Sequence, residues 1–106
     1  MREELPHVLD RIRRLLDRRA TDPEDVLLME MEHTLTDGYA CALALDGERR
    51  RIEQRMGQLA RDLDHPDQAG ELRSLAVRLN GAEDELERLR DLLATLRKRT
   101  EDVRAA

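Results

Sequence analysis

Two Glu-x-x-His pairs, Glu4 with His7 and Glu30 with His33, are the residues of this chain best spaced for chemistry. Three positions apart on a helix, a carboxylate and an imidazole aim at one point, as they do where a helical bundle holds two metal ions. A complete site of that kind also takes unpaired inward glutamates from two further helices. Here the inward positions are leucines and His7 follows Pro6 in a first turn, so both pairs read as surface groups. His65 lies beside Asp64 and Asp67, a trio that could hold a metal weakly, but the same residues suit a helix-capping turn. Cys41 is the only cysteine, and its apolar neighbours make it a small buried hydrophobe rather than a nucleophile. No glycine-rich phosphate loop, nucleophile elbow, CxxC pair or HExxH motif occurs. The residues therefore assign no catalytic group, no metal site and no cofactor, and the chain reads as non-enzymatic.

The elements that carry these residues are helices. Leu72, Leu75, Leu79, Ala82, Leu86, Leu89, Leu93, Leu96, Thr100 and Val103 alternate in steps of three and four, the spacing of a coiled-coil seam. A second register runs through Leu28, Met31, Leu35, Gly38, Ala42, Leu45, Arg49, Ile52, Met56, Leu59 and Leu63. Only Asp64-His65-Pro66 separates the two, which predicts an antiparallel hairpin. Ahead of it, Leu5, Val8, Leu9, Ile12, Leu15 and Leu16 form one apolar face, with Arg11, Arg13, Arg14, Asp17 and Arg18 mostly on the other.

The predicted fold is all-α: a three-helix antiparallel bundle with a long coiled-coil hairpin, its helices over about 5–20, 23–63 and 66–103. Thr21 or Asp22 can cap the second helix, Pro23 fits its first turn, and Glu24 and Asp25 suit its positive end. His65 or Asp64 would cap the third, beginning at Pro66. Gly47 is a place where the second helix could bend and Asn80-Gly81 one where the third could break, although the seam keeps its register through that pair. As a single domain, the chain divides into a base (1–48 with 82–106) and a projecting hairpin arm (49–81).

Composition narrows the partners. The 106 residues carry a net charge of −5 with 41% charged positions, which argues against nucleic acid because affinity for phosphate backbones needs a basic surface. Most arginines should pair with carboxylates one turn away. Eighteen arginines against Lys98 alone suggest a GC-rich bacterial genome. No signal peptide is visible, and the longest uncharged apolar run, Tyr39 to Leu45, is too short to span a bilayer, so no membrane partner and a soluble, cytoplasmic protein are expected. That run covers more than one helix face, and one face lacks a cover within the chain. A homodimer would supply it, with Gly38, Tyr39, Cys41, Ala42 and Leu45 as the subunit contact. An unidentified protein partner would meet the hairpin, whose tip carries Asp62, Asp64, His65, Asp67 and Glu71.

Two resemblances give the function other forms. A hairpin with an acidic tip is similar in architecture to the fingers that Gre-type and DksA-type transcription factors insert into RNA polymerase, where tip carboxylates bear on the catalytic magnesium. Asp62, Asp64, Asp67 and Glu71 would then be the working residues, although the first family's globular domain and the second's cysteine zinc knuckle have no counterpart here. The segment Leu9 to Arg19 resembles the opening helix of small all-α chorismate mutases, over barely a tenth of the chain. Sites of that family use a lysine beside their arginines, and none precedes Lys98.

Overall fold

The computed structural model describes residues 4–17 and 24–105. They form α1 (Glu4–Asp17), α2 (Glu24–Arg61) and α3 (Gln68–Ala105), with no strand among them. The fold is an all-α three-helix bundle. The expected end of the first helix at Ala20 and the caps at Thr21, Asp22 and Pro23 lie outside the described residues. Both long helices are unbroken, α2 through Gly47 and α3 through Asn80-Gly81.

The turn differs from expectation in three ways. The second helix ends at Arg61 rather than Leu63, because the Asp62 N–H donates to the Leu59 carbonyl at 3.1 Å, one residue short of a helical bond. Leu63 thus leaves the seam and is 82% exposed. The third helix starts at Gln68 rather than Pro66. Its first helical bond runs from the Glu71 N–H to the Asp67 carbonyl (3.0 Å), so Asp67, not His65 or Asp64, holds the capping position. A Cβ on Gly70 would lie 2.6 Å from the Asp67 carboxylate, so glycine leaves the cap its space. The Gln68 side chain donates to the Leu59 carbonyl, tying the start of α3 to the end of α2.

The chain forms two compact units, the first of Met1–Ala42 with Arg88–Ala106 and the second of Leu43–Glu87. Within the first, Val8, Ile12 and Leu15 of α1, Leu27 and Met31 of α2, and Leu89, Leu93 and Leu96 of α3 are buried. Removing such a side chain from water contributes about 1.5–3 kcal/mol each. α2 and α3 approach closely at Gly38, where a Cβ would run into the Leu93 Cδ2 methyl. Glu32 pairs with Arg104 and Gly38 faces Leu93, an antiparallel order.

The second unit is built on Ile52, Leu59 and Leu75, with Met56, Leu72 and Leu79 half-buried against them. Arg55 reaches Glu71 and Leu59 reaches Gln68, again antiparallel. Arg49, the one charged position of the second register, is half-buried and bonds Asp46 (3.0 Å) and Glu53 (2.6 Å). Its long side chain covers the seam while the guanidinium meets carboxylates on its own helix. No described helix is long and apolar enough to cross a membrane.

Candidate interaction surfaces

Five positions were expected to touch a second subunit, and the fold treats them differently. Gly38 is buried against Leu93, and Leu45 is buried in the second unit, so both are covered by the chain itself. Cys41 and Ala42 are half-buried, and Tyr39 is 47% exposed. The open side of α2 in the first unit lies elsewhere on the helix. Val26, Met29, His33, Thr36 and Ala40 are all exposed and follow steps of three, four, three and four. Met29 is 71% exposed, and no Asp, Glu, Lys or Arg interrupts this line. In the second unit Leu43 is 75% exposed.

The acidic tip is partly spoken for. Glu71 accepts from Arg55 at 3.0 Å and lies 3.3 Å from the His65 imidazole. Asp67 caps α3, and its N–H lies 3.4 Å from the His65 Nδ1. Asp62 and Asp64 remain exposed in the turn. Among the described residues, no group of three or more His, Cys, Asp or Glu is placed to hold a metal ion.

α1 is fixed to α2 by a polar latch. Arg11 donates to the Asp37 carboxylate (2.7 Å) and to the Thr34 hydroxyl (3.1 Å), and His33 stands 3.7 Å from Asp37. The hydrogen bond from Arg11 holds the Asp37 carboxyl below its usual 3.8, against a smaller opposing effect of burial and with help from the His33 charge. Thr34 is 2% exposed, so its hydroxyl needs this partner. On the far side, Arg99 of α3 donates to the Leu16 carbonyl, which holds the end of α1. The Glu30–His33 pair is therefore turned to the latch, with His33 largely exposed beside Asp37.

A groove of about 560 Å³ opens between α2 and α3 in the same unit. Ala42 and Tyr39 line one wall, Leu93 and Ala94 the floor, and Arg90, Arg97 and Lys98 the other wall with Glu101. Its placement follows from helix geometry: Tyr39 stands two residues from Asp37, and Arg97 two from Arg99, a rotation of about 200° around each helix. α1 is held by Asp37 and Arg99, so the groove occupies the opposite flank of the α2/α3 pair.

No known protein family, curated protein or solved structure matches this chain.

The latch and the groove's basic wall are the features that sequence reading missed. Thr34 continues the line Leu27, Met31, Thr34, Gly38, so its burial was signalled by position although not by residue type. Arg11 was placed on the polar face of α1, but it is half-buried and turned toward α2. Arg90, Arg97 and Lys98 carry no signal as a set until α2 is set beside them. Several arginines do pair one turn away, as Arg14 with Asp10 and Arg97 with Glu101, while Arg11, Arg55 and Arg104 reach across to another helix.

Proposed function

We propose that this chain is a non-enzymatic interaction protein of the bacterial cytoplasm, a coiled-coil scaffold that acts as a homodimer and presents helical surface to a protein partner. The observation that carries the reading is the exposed line Val26, Met29, His33, Thr36 and Ala40, which holds no carboxylate, lysine or arginine. Its alternating spacing is the same one that marks the buried seam of α3. Two copies related by a two-fold axis would lay these lines against each other, each covering the other's methionine and valine. Tyr39, at the edge of that face, stays in the contact; Gly38 and Leu45 do not. The cytoplasmic, bacterial assignment rests on the lone Cys41 and on the excess of arginine over lysine.

Light scattering at micromolar concentration is expected to give about twice the 12.3 kDa chain mass. Introducing carboxylates at two positions along the line, Met29→Glu with Ala40→Glu, is expected to return the protein to the single-chain mass without loss of helicity, since both positions are exposed. A wild-type protein of single-chain mass would refute self-association.

A further inference from the structure

We propose that self-association of this chain is switched by pH through His33: two copies join along the exposed line of α2 while that imidazole is neutral and part when it takes up a proton. The inference rests on the reading that this line is the subunit contact, and adds how the contact is regulated. Its basis is the place of one side chain. Among Val26, Met29, His33, Thr36 and Ala40, only His33 can change its charge, and it is the third of the five. Seven residues separate it from either end, about 10.5 Å along α2 in each direction. Two copies whose lines overlap fully therefore set His33 of one beside His33 of the other, whether the two helices run parallel or antiparallel. In the single chain the imidazole is 75% exposed, so the cover it gains comes from the second copy.

The charged groups around His33 leave an imidazolium there without a carboxylate of its own. On α2, Asp37 stands 3.7 Å away but already accepts from Arg11 of α1 at 2.7 Å, and Glu30 is engaged within the chain. Glu32, the residue before His33, pairs with Arg104 of α3. α1 adds Arg14, which lines a cleft with Arg11, Glu30 and Thr34 and pairs with Asp10. In the single chain water solvates a charged His33. In the contact that water is displaced by Met29, Thr36 and the second imidazole, so protonation opposes association both by desolvation and by repulsion between like charges. Because pairing favours the neutral form, it is strongest above histidine's range and weakens as pH falls through it, between about 8 and 5. Asp37, held below its usual 3.8, keeps its charge throughout that window.

Sedimentation equilibrium at about pH 8 and about pH 5.5 reads the dissociation constant on either side of the switch. The wild-type dimer should be weaker by about tenfold or more at the lower pH, with helicity unchanged by circular dichroism. His33→Gln, at an exposed position, should pair equally at both, and His65→Gln, off the line, should keep the wild-type dependence. A chain that dimerises at pH 8 with the same constant at pH 5.5 overturns the switch and leaves the contact standing. Tighter pairing at pH 5.5 also overturns it, since carboxylates of the other copy would then be holding the imidazolium. So does a pH dependence that survives in His33→Gln, or dissociation that comes with loss of helix. A wild-type protein of single-chain mass at pH 8 overturns self-association itself, and the switch with it.

Discussion

In the first unit three helices bury α2 along two adjoining lines, whereas in the second a pair of helices buries one. The consequence is visible residue by residue. Ile12, Leu89 and Leu96 have no exposed surface, while Met56, Leu72 and Leu79 of the second unit stay half-buried beside Ile52 and Leu59. The polar groups differ as well. The three-helix core encloses Thr34 and Thr100, each with its hydroxyl satisfied, by Arg11 in one case and by the Leu96 carbonyl at 2.8 Å in the other. The two-helix seam instead carries Arg49, whose guanidinium lies among carboxylates at the seam's edge. A third helix removes water from the middle of the bundle, so polar groups there must be short and bonded in place; a two-helix seam is never far from solvent and tolerates a long cation.

Core truncation should break this comparison most sharply. Leu96→Ala in the first unit should cost about 3–5 kcal/mol, because three surrounding helices cannot all close on the cavity. Leu79→Ala, already half-open to water in the second unit, should cost only about 1–2 kcal/mol. Urea unfolding of the two variants measures both, and equal losses would show that the third helix adds nothing to burial.

Glycines sharpen the contrast at smaller scale. At Gly38 an added methyl would run into the buried Leu93 side chain, so Gly38→Ala should destabilise by about 1–3 kcal/mol. At Gly81 in the second unit nothing lies within 4 Å of the added Cβ. Gly81→Ala should therefore stabilise by about 1 kcal/mol, through helix propensity alone. Thermal melts of the two alanine variants should move in opposite directions. A Gly38→Ala protein that melts no lower than wild type would mean that α2 and α3 can shift apart at no cost.

Much of the architecture was legible because it depends on a period. All ten positions of the α3 seam are buried or half-buried, and so are ten of the eleven on α2. The exception, Leu63, shows the limit: a period says which face a residue shares, but the helix end is decided by local bonds, here those of Asp62 and Asp67. Surfaces were less legible for a related reason. Gly38 looked like a residue that lets two subunits meet, but its closeness serves α2 and α3 of one chain, and sequence does not distinguish the two uses. The latch was hidden because threonine and arginine count as polar in any pattern, while their burial depends on finding one another across 23 positions. The groove's positive wall, Arg90, Arg97 and Lys98, lies in one stretch of α3, but that stretch does not show that Tyr39 and Ala42 of α2 stand across from it.

The smallest expected effect concerns that latch. Because Arg11 depresses the Asp37 carboxyl below 3.8, folding favours the ionised form, and the resulting stability is fully present above 3.8. It is lost as pH falls below 3.8 through the folded value, where the carboxylate takes up its proton and the charged hydrogen bond from Arg11 weakens. Asp37 is 39% exposed, so solvent screening keeps the contribution under about 1 kcal/mol. Other carboxylates titrate over the same range, which makes the difference between two proteins more informative than either curve. Asp37→Asn should be slightly less stable than wild type at pH 7, and the two stability curves should converge as pH drops below 3.8. If the gap stays constant down to pH 2, the carboxylate's charge contributes nothing, and Arg11 holds α1 through the neutral Thr34 hydroxyl alone.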